Sequence, residues 1–174
     1  MRIASWLLCA GLLAVPPTGA APFTRAPDIE LTNIHGARTR IDYKSAKVTL
    51  VNFWATWCGP CRQEMPMIAK LYHEHGPRGF RAVGIAVESG GPKEVKTFLE
   101  ENREFGINYE ILLGGDDALL RFGDIGIVPT TFLFDSGGRL LKTWKGVTPN
   151  FHEKLSGEIT KHLATAAAPP AGKP

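Results

Sequence analysis

Two nearly continuous apolar segments, with a helical pattern between them, dominate the middle of the chain. The first, KVTLVNFWA at residues 47–55, is rich in β-branched residues and is typical of a strand buried on both faces. From Pro60 onward, apolar residues recur every three or four positions to about residue 75, which predicts a helix. FRAVGIAVE at residues 80–88 has the buried-strand pattern again. This order predicts two parallel strands joined by a right-handed crossover.

Weaker patterns on either side complete the predicted fold. Alternating apolar residues around an Asn33–Gly36 turn predict an N-terminal β-hairpin, and residues 130–144 predict an antiparallel hairpin. The other predicted elements are a helix at 92–103, a short strand at 109–113, a short helix at 116–122 and a last helix at 149–163. The sequence therefore predicts an α/β fold with a mixed central sheet flanked by helices.

The two ends of the chain differ from its centre. Residues 1–20 combine Arg2, a short apolar run, two prolines and small residues, as in a secretory signal peptide that is cleaved after Ala20. A retained membrane anchor is the alternative, although the apolar run is short for a spanning helix. Residues 165–174 have no periodicity and predict a disordered tail. One domain is expected over residues 21–164.

Composition excludes few classes, but the cysteines are informative. The net charge of the 174-residue chain is +3, with Lys and Arg spread along it, so nothing indicates nucleic-acid binding. Removal of the signal peptide takes Cys9 away and leaves Cys58 and Cys61. Two cysteines this close together enclose almost no loop, whereas structural disulfides of exported proteins stabilise by closing longer ones.

Two metal-binding interpretations of the Cys58–Cys61 pair can be tested against the residues around it. A structural zinc site needs four ligands. No second cysteine pair accompanies this one, and the five histidines are isolated or, in HEH at residues 73–75, expected to be exposed near a helix end. Covalent haem attachment needs a histidine directly after the second cysteine, where the chain has Arg62. We therefore expect no bound metal and no cofactor.

A redox interpretation agrees with the predicted local structure. Cys58 lies between a buried strand and a helix that begins near Pro60, so its sulfur is expected at the positive end of the helix dipole, where a thiolate is favoured. Proline suits the first helical turn because the N–H groups there have no partner within the helix, so its missing N–H costs no hydrogen bond. Cys61 lies one turn into the helix and could attack a mixed disulfide formed at Cys58. Cys58 is then the predicted nucleophile and Cys61 the resolving cysteine.

The motifs around the pair resemble those of a known family. WCGPC at Trp57–Cys61 is similar to the active site of the thioredoxin superfamily, Pro66 to its helix proline, and IVPTTF at residues 127–132 to its cis-proline loop. The N-terminal hairpin, a central insertion before that loop and VNFWATWCGPCRQEMP resemble the TlpA/ResA group of exported thiol-disulfide oxidoreductases. The resemblance implies a thioredoxin-like fold from about Pro27 to Leu163.

The resemblance also implies a proton carrier and a client-binding surface. Thioredoxins have a buried aspartate beneath the cysteines, where this chain has Asn52; the TlpA/ResA group has a functional glutamate at the position of Glu64. Glu64 is therefore a candidate proton relay, although a solvated glutamate is the alternative. The positions implied to contact a client are Trp57, Gly59, Pro60, Val128 and a cis Pro129, with main-chain pairing at Val128.

The function predicted from these features is reduction of disulfides in exported client proteins by dithiol-disulfide exchange. In the resembling group, clients include apocytochrome c and copper or oxidase-assembly proteins, and a membrane donor of the DsbD/CcdA type supplies electrons. We expect a periplasmic or extracytoplasmic monomer. The alternatives are a disulfide oxidase or isomerase, and a carrier that holds Cu(I) on the two cysteines without enzymatic activity.

Overall fold

The computed structural model describes residues 23–165, which form a seven-stranded mixed sheet with helices on both faces. The predicted signal peptide and residues 166–174 lie outside the described residues. None of the helices within residues 23–165 is both long and apolar enough to cross a membrane. The strands are β1 (Glu30–Asn33), β2 (Arg38–Arg40), β3 (Val48–Trp54), β4 (Phe80–Ala86), β5 (Glu110–Leu113), β6 (Thr130–Asp135) and β7 (Leu140–Lys145). The α-helices are α1 (Gly59–His75), α2 (Pro92–Glu101), α3 (Asp116–Arg121) and α4 (Phe151–Thr165).

The sheet has the order β2-β1-β5-β4-β3-β6-β7, which places β3 near its centre. β3 pairs parallel with β4 and antiparallel with β6, and all seven of its residues are buried. The side chains of a strand with neighbours on both edges and layers on both faces are shielded from water, which favours apolar residues. The continuous apolar run of the sequence is the consequence of this position, and the predicted parallel crossover is confirmed.

Alternate residues of β3 face two separate hydrophobic cores. Leu50 and Trp54 belong to the core that also contains Met65 of α1 and Leu155 of α4. Residues of the opposite face, such as Phe53, pack in the second core, which is rich in aromatic side chains. The active-site segment that follows Trp54 therefore leaves the sheet on a rigid, fully packed strand.

The boundaries of two helices differ from those predicted. α2 ends at Glu101 rather than at 103, because residues 103–105 form a 3-10 turn that ends at Gly106 with a φ of 60°. α4 begins at Phe151 rather than at 149, since Asn150 has a φ of 55° and its carbonyl accepts the Lys154 N–H at 3.1 Å. α4 also includes Thr165, one residue past the predicted end of the domain at 164.

Arg62 connects the segment between β4 and β5 to the first turn of α1. Its Nη2 donates to Asn102 Oδ1 at 2.7 Å, and Asn102 is itself buried and donates to the carbonyl of Phe98. The guanidinium lies 5.6 Å from the ring centroid of Phe98 and 5.9 Å from that of Phe105. Cation–π contacts and the hydrogen bond together hold the end of α2 against α1.

Gly84 of β4 lies where side chains from two other strands meet. A Cβ atom at this position would be 2.8 Å from Ile111 Cδ1, 3.0 Å from Trp54 Nε1 and 3.2 Å from Tyr109 Cε2. Gly84 is also the β4 partner of Asn52. The missing side chain therefore lets the Tyr109 ring lie across β4 toward the centre of the sheet.

We expect Gly84→Ala to destabilise the protein by about 1–3 kcal/mol, because the added methyl overpacks a rigid core. Gly157→Ala is the matched control: apart from the chain neighbours and the adjacent backbone of α4 itself, no heavy atom lies within 4 Å of the Cβ position. That change should stabilise the protein by roughly 0.5–1 kcal/mol through helix propensity. Urea unfolding of both variants measures the two effects; equal midpoints would contradict the packing argument.

Candidate active site

Cys58 and Cys61 form a disulfide at the N-terminus of α1, with their Cα atoms 5.3 Å apart. Cys58 is the N-cap residue of this 17-residue helix, and its Sγ accepts the backbone N–H of Cys61 at 3.2 Å. A sulfur in this position accepts a hydrogen bond and lies at the positive end of the helix dipole. Both interactions favour a thiolate at Cys58 once the disulfide is reduced.

Accessibility differs sharply along the WCGPC motif. Cys58 is 4% exposed and Cys61 1%, while the side chain of Trp57 is 63% exposed. Gly59 and Pro60 are also exposed. Cys58 is thus surrounded by a surface that a macromolecule can contact, while Cys61 is enclosed by the helix.

The segment before Cys58 is held by residues just after β4. The Trp57 Nε1–H donates to the carbonyl of Glu88 at 2.9 Å, and the Thr56 N–H donates to Ser89 Oγ at 3.0 Å. The Ser89 hydroxyl in turn donates to the carbonyl of Val87 at 2.8 Å. Sequence reasoning missed Ser89, since a serine in a loop gives no signal until the fold brings it to Thr56.

The Pro129 loop lies beside the same surface. The Val128–Pro129 peptide bond is cis, Pro129 is buried, and its carbonyl accepts the Gly146 N–H at 2.7 Å. Val128 is half-buried and shares a groove of about 220 Å³ with Trp57 and the exposed Ile127. The structure thus brings the predicted client-contact positions on the two segments together.

Beneath α1, Asn52 is a buried polar residue without charge. By strand alternation it faces the same side of β3 as Leu50 and Trp54, which is the side covered by α1. Its Nδ2 donates to Thr131 Oγ1 at 2.9 Å. An amide does not titrate near neutral pH, so another acid or bulk water has to exchange protons with the cysteines.

Glu64 is a buried carboxyl group on α1, one turn after Cys61. It is 8% exposed, and burial raises its pKa to about 7. A solvated glutamate at this position, which the sequence left open, is therefore wrong. Pro60 and residues of α4 line a cavity together with Glu64.

Tyr109 is a second buried titratable group on this side of the sheet. Burial, and to a lesser extent the charge of Glu64, raise the pKa of its hydroxyl. Its oxygen and Trp54 Nε1 have no hydrogen-bond partner among the described residues. Sequence reasoning missed Tyr109, because its ring lies across β4 only where Gly84 leaves room for it, and the local sequence does not bring these two residues together.

Within residues 23–165 there is no group of three or more His, Cys, Asp or Glu side chains placed to hold a metal ion.

Comparison with known proteins agrees with this geometry. The AhpC/TSA family matches residues 23–143. A thiol-disulfide oxidoreductase ResA of Geobacillus kaustophilus is 36% identical over 84% of this chain and 78% of its own length. The ResA of Geobacillus thermodenitrificans is 35% identical over 74% and 72%. The chain belongs to the AhpC/TSA family and is of the ResA type.

A solved structure places the ResA-type chain among thioredoxin folds. A thiol:disulfide interchange protein of the thioredoxin family from Chlorobium tepidum has a TM-score of 0.68 and 28% identity, covering 80% of this chain and 96% of its own. The predicted thioredoxin-like fold and the predicted class of thiol-disulfide oxidoreductase are confirmed.

We expect the oxidised ResA-type protein to lose stability as the pH rises from about 4.5 to above 7, because of Glu64. The pKa of Glu64 is about 7 in the folded protein and 4.5 for a free glutamate, so the folded state binds the proton more tightly. The stability that this binding contributes is present below pH 4.5 and is lost as the pH rises through 7. The loss is on the order of 3 kcal/mol. It should be absent in Glu64→Gln.

Urea unfolding of the two oxidised proteins between pH 4 and 8 measures this effect, since disulfide cysteines do not titrate. Glu100→Gln, at an exposed position of α2, is the control that should follow the wild-type profile. Parallel profiles for the wild type and Glu64→Gln would show that folding does not raise the pKa of Glu64.

Proposed function

We propose that this protein is an extracytoplasmic reductase that uses the Cys58 and Cys61 dithiol to reduce disulfides in exported client proteins. The observation that carries the proposal is the position of Cys58 Sγ: it caps α1, accepts the Cys61 N–H at 3.2 Å and lies beside an exposed Trp57. A thiolate favoured by a helix N-terminus and next to an exposed docking surface is suited to nucleophilic attack on a protein disulfide.

The first step is attack of the Cys58 thiolate on one sulfur of the client disulfide. The client S–S bond breaks, a mixed disulfide forms, and the second client sulfur leaves as a thiolate. Val128, half-buried beside Trp57 in the groove, offers its main chain to the extended client segment. Gly59 and Pro60 are exposed on the other side of Cys58 and complete the contact surface.

The second step requires loss of a proton from Cys61. Its thiolate attacks Cys58 Sγ, the Cys58–Cys61 disulfide closes, and the first client sulfur is released. Glu64 is the proposed acceptor of the Cys61 proton, because a carboxyl with a pKa of about 7 is partly ionised at neutral pH and accepts a proton readily. Overall, the client gains two electrons and two protons, and the dithiol loses them.

The cellular setting follows from the resemblance and the predicted signal peptide at residues 1–20. The protein acts outside the cytoplasm as a monomer, and a membrane donor of the DsbD/CcdA type returns its disulfide to the dithiol. Dedicated cytochrome-maturation members have a Gly-Ala-Pro-Glu-Thr loop, whereas this chain has GDIGIVPTTF. We therefore define the clients as exported disulfide proteins, with apocytochrome c and copper or oxidase-assembly proteins as two kinds to assay.

Cys58→Ser should abolish the acceleration that the protein gives to insulin reduction by dithiothreitol, since the nucleophile is lost and only the uncatalysed rate remains. Cys61→Ser should instead accumulate a mixed disulfide between Cys58 and the client, because the resolving thiol is missing. Non-reducing electrophoresis and mass spectrometry detect the trapped species. A wild-type rate that does not depend on Cys58 would favour the Cu(I) carrier.

Equilibration of the Cys58 and Cys61 pair with glutathione should give a potential near that of thioredoxin, about −270 mV, rather than the roughly −120 mV of an oxidant such as DsbA. Tryptophan fluorescence follows the redox state, as Trp57 is adjacent to Cys58. A potential close to that of DsbA would reverse the direction of electron flow and make the protein a disulfide donor.

A further inference from the structure

The groove of about 220 Å³ next to Trp57 lies between the segment after β4 and the segment that connects α3 to β6. A dry apolar cavity of about 150 Å³ in a protein core holds a benzene ring. The groove is therefore large enough for one large apolar side chain, such as that of leucine, methionine or phenylalanine. Its own lining is mainly apolar and consists of Trp57, Val87, Leu119, Ile125, Ile127 and Val128, together with Glu88 and Gly126.

The apolar lining of the groove is open to solvent and held in place. Ile127 is 53% exposed, and Leu119 is half-buried. The carbonyl of Ile127 accepts the Thr130 hydroxyl at 2.7 Å, and the carbonyl of Leu119 accepts the Ile125 N–H at 3.1 Å. A preformed apolar surface of this kind gains free energy when an apolar side chain covers it, and little ordering opposes the gain.

The exchange reaction decides which molecule covers this surface. A client sulfur has to reach Cys58 Sγ, so the client residues beside the reacting cysteine lie against the neighbours of Cys58, including Trp57. In an extended segment, residues two positions apart face the same side and are separated by roughly 7 Å. The client side chain two positions from the reacting cysteine is therefore the one within reach of the groove.

Glu88 is the one charged residue among the described residues that line the groove. It is exposed, and its φ of 47° is in the left-handed region, which glutamate rarely adopts. Asp124, directly before Ile125, is also exposed and has a φ of 55°. Strained backbone at residues other than glycine is typical of functional positions. Here it keeps carboxylates beside an apolar groove, where they attract lysine or arginine.

We propose that this groove is a specificity pocket for clients with a large apolar residue two positions from the reacting cysteine and a basic residue beside it. Leu119 and Ile127 contact the apolar side chain, and the Glu88 carboxylate attracts the basic one. The proposal rests on the proposed function, in which Cys58 attacks the client disulfide, and it names the class of clients. The covalent steps are those given above, and the groove changes only how strongly a client binds.

The test uses disulfide-linked dimers of short peptides with acetylated and amidated ends. The peptide KLSCSLK has leucine two positions from the cysteine on either side and lysine beyond it, so the direction of binding does not matter. Stopped-flow tryptophan fluorescence gives the second-order rate constant for oxidation of the pre-reduced protein. We expect the wild type to react roughly tenfold faster with KLSCSLK than with KSSCSSK, in which serine replaces leucine.

Ile127→Ser tests the apolar contact, and Leu120→Ser is its matched control. Both residues are exposed and apolar, but Leu120 is on α3 outside the groove lining. The intrinsic reactivity of each peptide is the same for every variant, so the ratio of the two rate constants reports the groove. Ile127→Ser should lower this ratio to roughly threefold, whereas Leu120→Ser should keep the wild-type ratio.

Glu88→Gln tests the charge with a third peptide, ELSCSLE, in which glutamate replaces lysine. The variant should lower the ratio of the KLSCSLK rate to the ELSCSLE rate roughly threefold relative to the wild type at low ionic strength. The difference should shrink at about 0.5 M salt, because salt screens exposed charges. Glu100→Gln, at an exposed position of α2 outside the groove, should keep the wild-type ratio.

The outcomes distinguish this inference from the proposed function. Equal wild-type rates with KLSCSLK and KSSCSSK, both dependent on Cys58, would overturn the specificity pocket and leave the reductase intact. Ratios in Ile127→Ser or Glu88→Gln that equal those of their controls would overturn the pocket as well. A wild type that reduces neither the peptides nor insulin through Cys58 would overturn both proposals.

Discussion

The hydrogen bond from the Cys61 N–H to Cys58 Sγ, 3.2 Å long, depends on where α1 begins, and the chemistry of the site depends on this bond. α1 begins where it does because β3 ends at Trp54 in a fully packed position and Ser89 holds Thr56. Cys58 then has an extended backbone and caps the helix. Unpaired N–H groups and the helix dipole both act on one sulfur atom, which is the physical basis of a reactive thiolate.

Differences in burial separate the surface around Cys58, which a client can contact, from the buried carboxyl group of Glu64. The reacting pair has to be approached by a macromolecule, so Trp57, Gly59 and Pro60 are exposed around Cys58. Glu64, the proposed proton carrier, is buried, and burial raises its pKa to about 7, which lets it hold a proton near neutral pH. Both conditions are met on one helix, because residues three or four positions apart share a face while their neighbours point away.

Much of the fold could be predicted from local patterns. The buried run of β3 and the WCGPC motif identify the central strand, the active-site helix and the cysteine pair. The ends of two helices differ from the prediction: α2 is shorter than predicted, and α4 starts at Phe151 because Asn150 adopts a positive φ. Such conformations depend on single backbone angles, which hydrophobic periodicity does not report.

By itself, the sequence determined the class of chemistry, since two cysteines at a strand-to-helix junction with proline between them place one sulfur at a helix N-terminus, which favours a thiolate. Only the tertiary structure decided which other groups serve the pair. Tyr109 lies across the sheet because Gly84 has no side chain, and residues of α4 line the cavity next to Glu64 because α4 packs beside α1. These residues are distant in the chain, and their proximity is a result of packing, for which local sequence carries no signal.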